Sequence, residues 1–386
     1  MFNQLRGLPA PLPPDDVARA LAPFGESRML PPAAYVDPDV FAWERENIFA
    51  GWICVCAAGD LAGEGAQRAV PTGQGSVLLT RDDGGTVRAF ANSCRHRGHE
   101  LLACGATERR HSIICPYHSW SYKLDGTVRN APGFRGLASF DAAHYSLAEL
   151  PAVEWHGWVF VDAAGDSGAF ADHVAGMDEV LAPYRMGELT IAARHSYELR
   201  CNWKVVAENY QECYHCSTIH PELSRISPPT SGENLQLPGA WMAGWMSLIP
   251  EAETMSLDGR SGGVAIAELS PHEMRTVMYV VGYPNLLVSL HPDYVMTHLL
   301  TPLAVDRTHV ECCWAFPPEA LADPAFDPSY AVDFWDLTNR QDWAACESVQ
   351  RGLSSPHAKA GPLAPDEDGV YQFVTRVART YAGQRP

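Results

Sequence analysis

Two histidines, His215 and His220, stand at the end of a stretch that the sequence predicts to be helical. Residues 202–216 contain neither proline nor glycine, Asn202 can cap their amino end, and Pro221 prevents the helix from continuing. His215 and His220 are five residues apart. Because each residue of a helix turns by about 100°, their imidazoles would point roughly 140° apart on an unbroken helix. If both bind one ion, the helix must therefore end or loosen between them.

The chemistry that suits these histidines is metal binding, but this stretch alone leaves the metal open. Two histidines and a distant carboxylate form the facial triad of non-haem Fe(II) oxygenases, which leaves coordination positions for dioxygen and substrate. A zinc peptidase would carry His-Glu-x-x-His on one helix, and this sequence does not. Cys213 and Cys216 could instead indicate a zinc knuckle, or the histidines could be ordinary helix-end residues.

A second cluster lies upstream and consists of two Cys-His pairs. Cys94 and His96 are followed, after eighteen residues, by Cys115 and His118. In a Rieske centre two cysteines bind one iron and two histidines bind the other, and the neutral imidazoles raise the reduction potential. A Cys2His2 zinc site usually has both cysteines first. The interleaved order therefore favours a [2Fe-2S] cluster.

Composition limits the classes of protein and partner. The 386 residues are enough for two domains, and 46% apolar residues with 11 tryptophans exclude a mainly disordered chain. A formal charge of -18 argues against nucleic acid or an anionic membrane as partner, and it is compatible with a cationic substrate. No signal-peptide core or run of about 18 apolar residues is present. We expect a cytoplasmic protein whose 11 cysteines are metal ligands or free thiols.

The elements that must position these clusters predict an α+β protein. Residues 1–50 form an arm with a short helix, and the short β-prone runs between 51 and 162 predict a small all-β domain. Residues 163–386 contain the histidine helix and two carboxy-terminal helices. They also contain consecutive antiparallel strands, predicted at 264–269, 275–281, 286–290, 295–302 and 309–316.

With both clusters in place, the sequence resembles the oxygenase (alpha) components of Rieske non-haem iron oxygenases over nearly its whole length. The gap between the two Cys-His pairs is a residue or so longer than is usual in that family. The matching residues are a late carboxylate and Cys94, His96, Cys115, His118, Glu208, Asn209, Glu212, His215 and His220.

The resemblance implies a Rieske [2Fe-2S] domain at 51–162 and a helix-grip-like catalytic domain at 163–386, with residues 1–50 packed on the latter. The two Cys-His pairs would bind the cluster, and His215 and His220 would bind mononuclear Fe(II). The family's third iron ligand lies on a late helix, where Asp342 matches best and Asp336 and Glu347 are fallbacks.

The resemblance also implies an assembly and partners. In this family a ring-like homotrimer places the cluster of one subunit beside the iron of the next, and an acidic residue, here Glu212, bridges the imidazoles of both centres. Asn209 would lie near the iron and steer bound oxygen, although a capping or packing role is equally compatible. Electrons would come from a separate NAD(P)H-dependent flavin/[2Fe-2S] reductase.

The substrate class follows from the subgroup that the sequence resembles. Glu212, in place of the commoner Asp, and segments 208–216 and 290–298 are similar to monooxygenases of glycine betaine, choline, carnitine or stachydrine. That implies O2-dependent hydroxylation of an N-methyl group and release of formaldehyde. Aromatic faces bind such cations, and Trp241, Trp245 and Tyr283 are candidates. Hydroxylation of an aromatic ring or another amine, or pure electron transfer, are the alternatives.

Overall fold

The computed structural model describes residues 7–236 and 239–384. The chain divides into two compact units, one of them Ile48–Phe170. The other contains the described residues of 7–47 and 171–384. No helix among the described residues is both long and apolar enough to cross a membrane.

The first unit is built from short antiparallel strands in three small sheets. The sheet orders are β1-β11-β10, β5-β2-β3-β4-β9 and β6-β7-β8. The strands are β1 (Trp52–Ala57), β2 (Ala66–Thr72), β3 (Gly75–Arg81), β4 (Val87–Ala91), β5 (Thr107–Arg109), β6 (Ile113–Ile114), β7 (Ser121–Tyr122), β8 (Val128–Asn130), β9 (Glu149–Leu150), β10 (Ala152–Trp155) and β11 (Trp158–Asp162).

The second unit contains one seven-stranded antiparallel sheet in the order β12-β18-β17-β16-β15-β14-β13. Its strands are β12 (Thr190–Leu199), β13 (Gly232–Asn234), β14 (Trp241–Ser247), β15 (Thr276–Gly282), β16 (Leu286–Leu290), β17 (Val295–Ala304) and β18 (Arg307–Phe316). The α-helices among the described residues are α1 (Pro14–Ala20), α2 (Ala33–Val36), α3 (Pro38–Asn47), α4 (Phe170–His173), α5 (Met177–Leu181), α6 (Trp203–Tyr210), α7 (Cys216–Ile219), α8 (Pro221–Ile226), α9 (Pro318–Leu321), α10 (Ser329–Leu353) and α11 (Asp368–Tyr381).

The predicted α+β organisation is confirmed, with three corrections in the second sheet. The strand predicted at 264–269 is a loop, and neither β13 nor β14 was predicted as a strand. Strand β14 contains two Trp and two Met among its seven residues and follows no alternation of polar and apolar residues, because most of it is buried. The period-2 signal of a half-exposed strand is absent there.

A buried ion pair ties the amino-terminal helices to the core of the second unit. Lys204 on α6 approaches Glu44 on α3 at 2.5 Å between Nζ and Oε1, and both side chains are fully buried. Trp203 donates its indole N–H to the other Glu44 oxygen at 2.9 Å, and Tyr381 on α11 donates to the first. The charge on Glu44 is thus compensated by three donors from two further helices.

Candidate metal centres

The helix that leads to the histidines is shorter than the sequence predicts. The side chain of Asn202 caps it by accepting from the Lys204 N–H at 3.0 Å, as expected, but α6 ends at Tyr210 and not at residue 216. The Glu212 carboxylate accepts the backbone N–H of His215 at 3.1 Å, and so takes a donor that a continuing helix would need.

The two histidines flank a single helical turn. His215 is the residue before α7, and His220 lies between the end of α7 and the start of α8. Helix α7 ends at Ile219, so helical structure ends between the two histidines, as their spacing requires if both bind one ion. Cys213 and Cys216, expected to be free thiols or zinc ligands, form a disulfide at the amino end of α7.

His215 and His220, at the two ends of α7, and Asp342 on α10 converge on one point. The Asp342 Oδ1 atom lies 3.3 Å from His215 Nε2 and 2.9 Å from His220 Nε2, and ligand atoms of all three residues lie within 4.8 Å of one another. Two imidazoles and one carboxylate are the donor set of a facial-triad Fe(II) site.

The remaining ring nitrogens are held by oxygen acceptors, which aims both Nε2 atoms at Asp342. His215 Nδ1 lies 2.5 Å from Glu212 Oε1, and His220 Nδ1 lies 2.7 Å from Gln341 Oε1. Burial lowers the pKa of His215, but its bonds to Asp342 and Glu212 outweigh burial and raise that pKa to about 9. A metal ion that binds His215 would displace the proton of the protonated imidazole, since a metal is bound by the neutral ring.

Sequence reasoning missed Gln341, which carries no motif signal. Its side-chain amide is oriented by donation to Glu222 at 3.3 Å, so that its oxygen faces His220. We expect Gln341→Leu to weaken Fe(II) binding by about 10–100-fold, as is typical when the partner of a metal-binding His is lost. A chelator-competition titration measures this, with Gln341→Glu, which keeps an acceptor, as the control. Equal affinity in the Leu variant and the native protein would contradict the orienting role.

The fallback carboxylates lie elsewhere on α10. Asp336 accepts from Tyr197 at 2.5 Å and from Arg340 at 2.7 Å, and Glu347 accepts from the Arg200 N–H at 3.0 Å. Asp336 lies six residues before Asp342, and Glu347 lies five residues after it. On a helix these separations correspond to rotations of about 240° and 140°, so neither carboxylate shares the helix face of Asp342.

A cavity of about 740 Å³ opens onto the three converging groups. It is within the size range of small-molecule sites. Asn209 and Glu212 line it, whereas Glu208 does not. Glu208 bonds to the Tyr35 hydroxyl at 2.7 Å, and burial raises its pKa to about 8. Five tyrosine and tryptophan side chains line the cavity: Tyr210, Tyr214, Trp245, Tyr279 and Trp335.

Only one of the three aromatic residues proposed from sequence is therefore at the cavity. Trp241 shares a strand face with Trp245 but lies about 13 Å along the strand, at 3.3 Å per residue. Its indole donates to Ala175 O at 2.8 Å. Tyr283 is buried against Trp203. Trp241 and Tyr283 thus belong to the core.

The upstream pairs come together in the first unit. Cys94 follows β4 and Cys115 follows β6, and both thiols are buried. The His96 and His118 rings meet edge to face with centroids 4.7 Å apart. His96 Nδ1 is buried and has no hydrogen-bond partner among residues 7–236 and 239–384. A buried nitrogen without a partner and two buried thiols fit a [2Fe-2S] cluster bound by two Cys and two His.

The Tyr122 hydroxyl lies 3.2 Å from Cys94 Sγ. Hydrogen bonds to cluster sulfurs raise the reduction potential, because they stabilise the more negative reduced state. We expect Tyr122→Phe to lower the cluster potential by tens of millivolts in spectroelectrochemistry. Tyr145→Phe, a change in the same aromatic cluster, should leave the potential unaltered. A potential that is insensitive to Tyr122→Phe would show that the hydroxyl does not reach the sulfur.

Two family models match the chain. "Ring hydroxylating alpha subunit (catalytic domain)" matches residues 186–383, and "Rieske [2Fe-2S] domain" matches residues 51–141.

Individual relatives are similar to the chain over most of its length. The glycine betaine monooxygenase oxygenase subunit of Chromohalobacter salexigens is 30% identical over 375 residues, 89% of this chain and 84% of that protein. The carnitine monooxygenase oxygenase subunit of Escherichia coli is 36% identical over 202 residues, 52% of this chain and 54% of the relative. A crystal structure of the quaternary ammonium Rieske monooxygenase CntA with an inhibitor has a TM-score of 0.79 and 26% identity, covering 97% of this chain and 99% of that one.

Proposed function

We propose that this chain, which belongs to the Rieske non-haem iron oxygenases, demethylates a small quaternary ammonium compound. The family model of the catalytic alpha subunit matches about half of the chain, and the glycine betaine relative covers most of it. The protein is the oxygenase component of such a monooxygenase, with a Rieske [2Fe-2S] cluster and mononuclear iron as cofactors.

The observation that carries the proposal is the aromatic wall of the cavity beside the triad. A quaternary ammonium has no N–H to donate, so it is bound by aromatic faces, each contributing about 0.5–2 kcal/mol. Trp245, Trp335, Tyr210 and Tyr279 supply four such faces in the cavity that Asp342 also lines. A pure electron carrier would need neither the triad nor the cavity.

The ligand assignments are part of this proposal. Cys94, His96, Cys115 and His118 would hold the cluster, and His215, His220 and Asp342 would hold Fe(II). When bound, the two groups supply single electrons and activate dioxygen beside the substrate. We propose with them that residues 51–162 form the domain that binds the cluster and that residues 163–386 form the domain that binds Fe(II).

The side chains of this protein orient the reactants. Glu212 and Gln341 fix the two imidazoles through their Nδ1 atoms. Asn209 lines the cavity and lies six residues before His215, where its amide could bond to dioxygen. The aromatic faces hold the ammonium so that one methyl group points at the triad.

The overall reaction balances as a monooxygenation. One oxygen atom of O2 enters an N-methyl C–H bond, and the other becomes water with two electrons from NAD(P)H and two protons. The hydroxymethyl ammonium then loses formaldehyde and a proton, and the C–N electron pair remains on the nitrogen. The electrons come through a separate flavin/[2Fe-2S] reductase, in keeping with a cytoplasmic location.

Glu212 has a second role in this proposal, as the bridge between subunits of a homotrimer. Each of its oxygens already accepts one bond from His215 of its own chain and keeps a lone pair for an imidazole of the neighbouring subunit. We expect Glu212→Gln to keep both metal centres and to lose about 10–100-fold in coupled turnover, since an outer-shell contact is weakened. Unchanged product formation in this variant would argue against the bridge.

A substrate panel tests the proposed activity. The purified protein, a compatible reductase and NADH are incubated with betaines, choline and aromatic hydrocarbons, while formaldehyde and oxygen uptake are measured. Formaldehyde formed in proportion to oxygen with a trimethylammonium compound supports the proposal. Turnover of aromatic compounds alone would replace it with ring hydroxylation.

A further inference from the structure

We infer that the substrate is an N-methylated ammonium compound without a carboxylate, a net cation and not a zwitterionic betaine. This inference rests on the proposed function, because it narrows the substrate class of the same cavity. Its basis is the charge of the cavity wall. No lysine or arginine is among the described residues that line the cavity, whereas Glu233, Asp366 and Asp368 are.

Glu233 and Asp366 are exposed, and Asp368 is half-buried. Of the other lining residues, Trp335, Thr338 and His220 are buried, whereas His215 and Asp342 are partly exposed. The methyl group to be oxidised must reach the triad. The rest of a small substrate then lies among the other described lining residues, which include Glu233, Asp366 and Asp368 and no lysine or arginine, so a substrate carboxylate would be repelled there.

The acidic wall is held in place by packing. Asp368 accepts from the Asn234 side-chain amide at 2.6 Å. Its neighbour Gly369 lies so close to the end of α6 that an added Cβ would stand 2.6 Å from the Gln211 carbonyl oxygen. Only glycine permits this approach, which fixes the first turn of α11 against the cavity.

The first turn of α11 is also where an anion could otherwise be attracted. Helix amino ends carry a partial positive charge that favours carboxylates. In this chain Asp368 occupies that first turn and supplies the negative charge itself. A substrate carboxylate would thus meet a helix end that is already compensated.

The test compares two compounds that differ in charge but hardly in shape: glycine betaine and its carboxamide. Isothermal titration of the iron-loaded protein gives the Kd of each, and formaldehyde assays with reductase and NADH give turnover. If each exposed carboxylate changes affinity about threefold, as for an exposed charge pair, the amide should bind about tenfold more tightly than the betaine. The preference should shrink in high salt, where exposed charges are screened.

Variants locate the source of the preference. In the double variant Glu233→Gln/Asp366→Asn the ratio of the two Kd values should fall close to one. Asp333→Asn, which removes an exposed carboxylate of α10 outside the cavity lining, should keep the native ratio. Tighter or equal binding of the betaine, or an unchanged ratio in the double variant, would overturn the inference. If the protein binds the amide more tightly than the betaine but releases formaldehyde from neither compound, the charge preference stands and the proposed demethylation is rejected.

Discussion

Replacing Asp342 by asparagine should abolish oxygen-coupled product formation while the [2Fe-2S] cluster stays intact. Asp342 contributes the only carboxylate oxygen among the three groups that converge at its Oδ1 atom. A neutral amide cannot offset the charge of Fe(II), so we expect the iron content to fall from about three atoms per chain to about two, which is the cluster alone. Iron and sulfide analysis measures the loss of the third iron, and the visible spectrum shows whether the [2Fe-2S] cluster is intact.

The matched control is Asp336→Asn on the same helix. Asp336 contacts Tyr197 and Arg340 and not the histidines, so this variant should keep its iron and its turnover. Loss of the third iron in the Asp336 variant, together with retention in the Asp342 variant, would transfer the ligand role to Asp336.

Replacing Glu44 by glutamine should destabilise the second unit by about 3–5 kcal/mol, the range for breaking a buried ion pair by removing one partner. The change leaves the Lys204 ammonium buried, where desolvation already lowers its pKa. It also weakens the bonds that Trp203 and Tyr381 make to the carboxylate. Urea unfolding followed by tryptophan fluorescence measures the free energy of unfolding.

A control and a paired variant separate the ion pair from helix α3 itself. Asp39→Asn lies on the exposed side of the same helix and should change the free energy of unfolding by less than about 0.5 kcal/mol. Glu44→Leu/Lys204→Met removes both charges and should recover much of the loss, because apolar replacement of a buried pair is often close to neutral. A Glu44→Gln variant as stable as the native protein would show that the pair does not hold the amino-terminal helices.

The metal-binding sequence motifs could be recognised because their information is local. The Cys-His pairs need only two loops, and the spacing of Cys94, His96, Cys115 and His118 shows both. His215 and His220 are likewise close in sequence. Asp342 is far from them in the chain, and only the family resemblance distinguished it from Asp336 and Glu347. In the structure, ligand atoms of His215, His220 and Asp342 lie within 4.8 Å of one another.

The parts that sequence reasoning missed depend on tertiary contacts. Helix α6 ends at Tyr210 because the Glu212 carboxylate takes a backbone donor, and the helical propensity of residues 211–216 does not contain that information. Gln341 matters only because α10 places it beside His220. Trp241 and Trp245 are equally aromatic, and their distance along β14 decides which one reaches the cavity.

The most direct test of the account is nitric oxide binding to the reduced protein, followed by electron paramagnetic resonance. Nitric oxide binds mononuclear Fe(II) that has an open coordination position and gives a half-integer high-spin signal distinct from that of a reduced cluster. We expect this signal in the native protein and in Asp336→Asn, and its loss in Asp342→Asn with the cluster signal unchanged. A native protein without the signal, or zinc bound at His215, His220 and Asp342, would contradict the central claim that this triad holds the oxygen-activating iron.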